Sequence, residues 1–448
     1  MGAVRFSAVT RFETLSEAAW ESLERFGVPG TSIGVYHEAA EEAAGFGVTS
    51  TEQPLEVDAE TLFQIGSITK TVTGTLALQL VEKGELDLDA PIRRYLPALR
   101  LADDDVAERV TMRHLLTHTG GWFGDHFSDP SRGDDALERM LPELAELPQL
   151  APLGELWSYC NSGFYVAGRV IEVLTRRPFE TAARELVLAP LGMENSFFFS
   201  EEVLSHRFAV GHRDEDGRTI LARPWALARA ASAAGGITSS VGDLLRYARF
   251  HFEWPPGPQM REPQIETDDP RRKMALTWFV RDVDGLGFAE HDGGTNGQMA
   301  RLLLAPEAGF ALAILTNHSP AGNDVLREVT RHALRLYLGI DARDPEPRDL
   351  SREQLAEYAG VYSNPWSEIE LRAADGRLVS QTTFKAGFPT KDTPPLPPPP
   401  PATLALYDTD RLFVEEGPLT GSRGDFVRDD EGRIAWFRSG GRLHAAHT

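Results

Sequence analysis

Cysteine and lysine are scarce in this 448-residue chain, and long apolar runs are missing. A single cysteine, Cys160, excludes an internal disulfide framework and leaves the redox compartment open. No apolar run of about 18 residues occurs, so no transmembrane helix is predicted, and Met1 to Thr10 lack the basic start and apolar core of a signal peptide. A cytoplasmic location is the expectation. Basic residues fall short of acidic ones, 45 Lys and Arg against 67 Asp and Glu, for a formal net charge of -22. That balance argues against nucleic-acid and anionic-membrane partners and mildly favours cationic substrates. Metal-ligand patterns are missing too. His114 and His118 stand four apart with His126 nearby, but no H-E-x-x-H pattern or further acidic ligand accompanies them. A helix C-terminus capped by Gly120 accounts for them better, and no metal or cofactor is expected.

Among the five lysines, Lys70, Lys83, Lys273, Lys385 and Lys391, only Lys70 follows a serine by three residues. Gln64 to Lys70 runs into Thr71 to Val81, where Val72, Leu76, Ala77, Leu80 and Val81 recur at helical spacing, and Gly84 offers a left-handed stop. The pattern predicts a helix with Ser67 in its first turn. Residues three apart share a helix face, so the Lys70 amine can reach the Ser67 hydroxyl beside the unpaired N–H groups of the helix start. Nucleophile, base and part of an oxyanion site would then lie within one turn. The plainer alternative is Ser67 as an N-cap with Lys70 solvated, although a cation there opposes the helix dipole.

The length suggests two domains. Arg11 to Phe26 carries an apolar stripe ended by Gly27 and Pro29, and Thr31 to His37 with Ala43 to Val48 reads as a hairpin. A helix followed by antiparallel strands points to an α+β or three-layer arrangement. Further helices are predicted over Leu137 to Leu150, Phe164 to Leu174 and Ala321 to Leu338, and another is opened by Ser239 or Ser240. Strands are predicted at Leu276 to Val280, Leu286 to Ala289, Met299 to Leu304 and Phe310 to Thr316, while Pro255 to Arg272 reads as a surface loop and Asp341 to Asp349 as a linker. Beyond Leu355 six short strands follow: Ile369 to Leu371, Leu378 to Gln381, Leu404 to Tyr407, Leu412 to Val414, Asp425 to Arg428 and Ile434 to Phe437. They suit a small antiparallel barrel, interrupted by an exposed polyproline loop up to Pro401.

Two more stretches carry chemistry. Tyr159 and Asn161 lie two apart just ahead of a helical run, where irregular backbone can aim both into a cleft. A tyrosine phenolate or a neutral Lys70 amine would each need a pKa of roughly 10 lowered by several units. A buried Tyr with a satisfied hydroxyl and an Asn in an Asx-turn is the structural alternative. In His291 to Gly297, small and flexible residues at a strand let a substrate backbone approach closely. His291 can there donate to an oxyanion-side group or a substrate carbonyl, or serve the fold alone.

Ser67-x-x-Lys70, Tyr159-x-Asn161 and His291-x-Gly293, in this order and spacing, resemble the three active-site motifs of the serine β-lactamase and penicillin-binding-protein-like family. The stretches Leu115 to Gly121, Ala234 to Leu244, Ala305 to Glu307 and Leu315 to Asn317 fit as well, and the resemblance covers about Val28 to Leu338. It implies an α+β chain: a β-lactamase-like α/β-sandwich catalytic domain over residues 1–340, then a linker over 341–350. Leu355 to Tyr362 resembles the opening of a lipocalin-like barrel, which would occupy 351–448. By the same resemblance Ser67 is the nucleophile of an acyl-enzyme mechanism, Lys70 and Tyr159 form the general-base pair, and Asn161 positions Lys70 and the substrate amide. The Ser67 N–H and a backbone N–H near Gly294 or Thr295 would form the oxyanion hole, with Gly293, Gly294 and Thr295 binding substrate.

One departure bears on substrate. β-Lactamases and DD-peptidases of the family usually carry lysine where this chain has His291, and a neutral histidine meets a substrate carboxylate weakly. The His-x-Gly variant is similar to D-aminopeptidases, esterases and the serine peptidases that add a lipocalin-like barrel. The leading expectation is an aminopeptidase-like serine hydrolase acting on short peptides, D-residues included. A carboxylesterase, a β-lactamase or DD-carboxypeptidase, and a catalytically silent binding protein on the same scaffold are the alternatives. A small peptide or ester is the expected partner, with no nucleic acid or membrane, and assembly as a homo-oligomer stays open.

Overall fold

The computed structural model describes residues 9–447. The Arg11–Phe26 helix forms where its stripe predicts: Thr10 and Glu13 make a reciprocal capping box, and Gly27 at φ 66° turns the chain out through the left-handed region. The hairpin strands β1 (Gly30–His37) and β2 (Ala40–Gly47) follow. Four short strands, β3 (Phe63–Gln64), β4 (His212–Glu215), β5 (Arg218–Leu221) and β6 (Thr238–Ser239), make two small ribbons, β3 with β6 and β4 with β5. Then come β7 (Ile265–Glu266), β8 (Arg272–Met274), β9 (Phe279–Val283), β10 (Leu286–Gly294), β11 (Met299–Ala305) and β12 (Phe310–Thr316). With the first hairpin they form an eight-stranded antiparallel sheet in the order β2-β1-β12-β11-β10-β9-β8-β7.

Strand β12 is buried at every position and apolar up to Thr316, because both faces of the sheet are covered. Phe310, Leu312 and Ile314 pack with Leu15 and Ala19 of the first helix and with Val325 and Val329 of the Gly322–Leu338 helix. The alternate residues Ala311, Ala313 and Leu315 join Val241, Leu244 and Leu245 in the larger core on the other side. Burying each such large side chain contributes ~1.5–3 kcal/mol. The register places Ile33 opposite Ile314 and Leu303 opposite Leu312, which keeps each face in one layer. At the centre of the larger core lies the Thr69–Glu82 helix, entered through a 3-10 turn over Gly66–Ile68. It is buried on almost every face. Its threonines fit because their hydroxyls bond to carbonyls: Thr71 to Ile68, Thr73 to Ala233 and Thr75 to Thr71.

Several local expectations are corrected. Gly120 caps no helix: the Met112–Leu116 helix ends at Thr117 and His118 itself turns the chain at φ 57°. Leu137 to Leu150 divides into a helix over Ala136–Met140 and a 3-10 segment over Leu141–Glu146, with Pro142 at the junction. Leu276 to Trp278 is no strand, since Thr277 takes φ 68° and gives its N–H to the Leu116 carbonyl. Pro255 to Arg272 is no surface loop, because it holds a short helix (Gly257–Met260) and β7 and buries Thr267, Asp268 and Asp269.

The C-terminal strands close into a separate eight-stranded antiparallel barrel: β13 (Gly360–Ser363), β14 (Ser367–Ala374), β15 (Arg377–Phe384), β16 (Ala402–Asp408), β17 (Arg411–Glu416), β18 (Arg423–Arg428), β19 (Ile434–Ser439) and β20 (Arg442–Ala446). Six of these correspond to the predicted strands. The first and last, β13 and β20, were not predicted as strands, and it is their pairing, Tyr362 opposite Ala446, that removes the free edges. Leu378, Leu404, Leu412, Phe426 and Phe437 fill the barrel core. Among the described residues no helix is long and apolar enough to cross a membrane.

Candidate active site

Ser67 sits in the middle of the 3-10 turn, and its side chain caps no backbone N–H. The N-cap alternative is therefore set aside. Lys70, one turn on, is fully buried, with Nζ 3.0 Å from Ser67 Oγ and donating to the Ala234 carbonyl at 2.6 Å. The rings of Tyr159 and Phe164 stand 5.0 and 5.3 Å from that nitrogen. Desolvation holds the Lys70 amine well below its ordinary pKa and Arg442 lowers it further, against smaller opposing effects of Asp125 and Cys160. An amine whose charged form is disfavoured in this way, beside a hydroxyl, is suited to accept the hydroxyl proton.

Burial pushes the Tyr159 phenol above its ordinary range, against a smaller lowering by the nearby Ser67 hydroxyl. Of the two ways of obtaining a base, the neutral amine is thus the one that the environment favours. Stacking on His118 at 4.3 Å orients the Tyr159 ring, and His118 Nδ1 accepts the Cys160 N–H at 3.0 Å. His118 and His114, whose Nδ1 bonds with Thr111, are thereby committed to the fold. Asn161 opens the Asn161–Thr175 helix, with Cys160 Sγ as its cap. Its carboxamide does not hold Lys70, as the resemblance implied. Instead Nδ2 donates to Asp125 Oδ1 at 2.6 Å, and that carboxylate also receives Arg442 Nε at 2.9 Å.

The third stretch lies on β10. His291 Nδ1 is 2.6 Å from the Asp292 carbonyl, which can only accept, so Nδ1 carries the hydrogen and Nε2 a lone pair. Nε2 is buried without a partner, and desolvation followed by Lys70 lowers the imidazole pKa to about 4. The expectation of His291 as a donor is corrected: on the cleft side it is a neutral acceptor. Gly293 answers to a different close approach from the one expected, since a Cβ there would stand 1.8 Å from the Ile65 carbonyl oxygen and 3.1 Å from the Ser67 nitrogen. Gly294 faces Gly66 in the same contact. Thr295 departs from expectation. Its N–H is taken by the Gln298 carbonyl at 3.0 Å, and it does not line the cleft. Because β9 pairs with β10 only as far as Glu290, that edge of His291–Gly294 has no strand beside it among the described residues.

Ser67, Tyr159, Asn161, His291, Gly293 and Gly294 open into one cleft of about 1120 Å³. Sequence reasoning missed Asp125 and Arg442. Asp125 lies in an irregular loop, and Arg442 follows the glycine pair Gly440–Gly441 on the unpredicted last strand, so neither had a periodic or motif signal.

A helix-sheet-helix sandwich whose seam places a serine hydroxyl on a desolvated amine defines a serine hydrolase. The family model described as Beta-lactamase matches residues 15–337, and the chain belongs to that family. It is 33% identical over 357 residues to "Penicillin-binding protein 4" of Amycolatopsis lactamdurans, covering 75% of this chain and 93% of that one. It is 37% identical over 186 residues to "Esterase EstB" of Burkholderia gladioli, covering 38% and 46%. Among solved structures it is similar to SurE, with TM-score 0.73, 25% identity and coverage of 98% of this chain and 99% of that one. It also resembles the octameric penicillin-binding protein homologue from Pyrococcus abyssi, with TM-score 0.65, 24% identity and coverage of 94% and 97%.

Proposed function

We propose that the protein is a peptidase that acylates Ser67 and releases residues from the amino end of short peptides, D-residues included. Neutral Lys70 takes the Ser67 proton as Oγ attacks the scissile carbonyl, and the Tyr159 phenol relays a proton to the leaving amine. The Ser67 N–H and a backbone N–H of β10 near Gly294 hold the oxyanion, each such donor being worth ~3 kcal/mol of transition-state stabilisation. Asn161 orients the substrate amide from its bond to Asp125. Water then hydrolyses the ester by the same proton path in reverse.

The observation that carries the amino-end reading is His291 Nε2, a buried and unpartnered acceptor where a carboxylate-binding enzyme would present a cation. An acceptor suits a substrate N–H or amine. Intact-protein mass spectrometry with L- and D-amino-acid amides, p-nitrophenyl esters and penicillin tests it. Amides should give turnover and a transient adduct lost in Ser67→Ala. A stable penicilloyl adduct without amide turnover would instead assign a penicillin-recognising enzyme.

A carboxylesterase is the second reading, favoured by the identity with the Burkholderia esterase and by the lower barrier of ester acylation. Ester turnover with no anilide turnover would select it.

A further inference from the structure

The last hairpin of the barrel is docked on the segment that carries Tyr159. The Gly441 carbonyl accepts the Tyr159 N–H at 2.8 Å, and the Leu443 N–H meets Ser158 Oγ at 3.4 Å. Arg438, ion-paired with Asp425, donates to the Trp157 carbonyl at 2.8 Å. Three consecutive residues of the catalytic domain are thus held from the barrel. Gly441, at φ 77°, lies so near the Trp157 ring that a Cβ would come within 2.7 Å of it. From this platform Arg442 extends into the cleft. Its guanidinium contacts Asp125 through Nε and a terminal nitrogen at 2.9 and 3.4 Å and lies 4.7 Å from the centre of the Tyr159 ring.

We propose that Arg442 is a positioning residue for the hydrolysis, and that the barrel completes the active site by placing this one fixed cation beside Lys70 and across Asp125. The proposal rests on the reading of Ser67 as nucleophile and Lys70 as base. Arg442, Asp125, Cys160, Tyr159, His118 and His291 are the charged and titratable groups that face the buried amine. Burial keeps the phenol protonated, pushes the Cys160 thiol up to about 11 and keeps both imidazoles neutral. Asp125 is then the anion that would draw a proton onto Lys70, and Arg442 is the cation that cancels it. Removing the guanidinium takes away a positive charge and unmasks a negative one, and both changes favour the protonated amine, which cannot act as a base. It also frees the carboxylate on which Asn161 is hung.

The test uses the full-length protein and follows the rate at which a fluorophosphonate labels Ser67 as a function of pH, with thermal melts to show that each variant is folded. Arg442→Gln should move the acid limb of the profile upward by roughly one pH unit or more. Arg442→Lys keeps the charge and should restore the position of the limb while labelling more slowly, because a lysine cannot reproduce the two-pronged contact. Asp125→Asn should move the limb in the opposite direction, downward. A folded Arg442→Gln with an unmoved limb overturns the role of Arg442, and should that variant not fold, an unmoved or raised limb in Asp125→Asn does so. Wild-type protein that does not label at Ser67 overturns the serine-hydrolase assignment of these residues and this proposal with it.

Discussion

Gly293 and Ile65 are in backbone contact: a single added methyl group on Gly293 would overlap the Ile65 carbonyl oxygen at 1.8 Å. Strand β10 and the turn of Ser67 are therefore packed backbone to backbone, and that contact fixes the spacing between the strand and the hydroxyl. The glycine is required for room. Gly293→Ala should push β10 off the Ser67 turn, costing ~1–3 kcal/mol in stability and about 100-fold in turnover through misplacement of the reacting groups. Chemical denaturation and active-site titration measure the two effects.

Lys70 supplies a second expectation. Its folded-state pKa lies well below the ordinary 10.5, so between those values the unfolded chain binds a proton that the native one does not. Native stability must then rise with pH across that window. In Lys70→Met this linkage is gone. The variant should be inactive, and its stability relative to wild type should decline by up to ~1.4 kcal/mol per pH unit as the pH is raised towards the ordinary lysine range, read from urea midpoints.

Buried histidines set the acid side. His251 is lowered to about 3, His291 and His444 to about 4, and His118 also downward, in each case chiefly by desolvation. Their unfolded counterparts titrate near 6.5, so protons enter the unfolded state first and stability falls as the pH drops from 6.5 towards 4. Each histidine contributes a slope of ~1.4 kcal/mol per pH unit there. Urea midpoints between pH 7.5 and 5 should show the decline, and His251→Phe should flatten it by one proton's share.

Arg438, paired with Asp425 inside the barrel with side chains only 7% and 11% exposed, joins the barrel to the catalytic domain through the Trp157 carbonyl. Arg438→Ala leaves a buried carboxylate alone and frees the Trp157 carbonyl, so a loss of ~3–5 kcal/mol is expected, seen in melts. Amide exchange should also accelerate at Tyr159, whose N–H is held by the same hairpin.

Local chemistry in the chain determined a good deal. The Arg11–Phe26 helix, the approach of Lys70 to Ser67, the apolar strands of the sheet and the short-strand character beyond Leu355 depend on neighbours a few residues apart, and spacing alone reveals them. Other features could not be read that way. The acceptor face of His291 depends on which carbonyl its Nδ1 meets, and the loss of Thr295 to Gln298 depends on a turn. Arg442 reaches Asp125 across 317 residues. Sequence spacing fixes which groups share a helix face, but charge, protonation and the free lone pair of a buried group are set by whatever the folded chain brings against it, and here that neighbour comes from another domain.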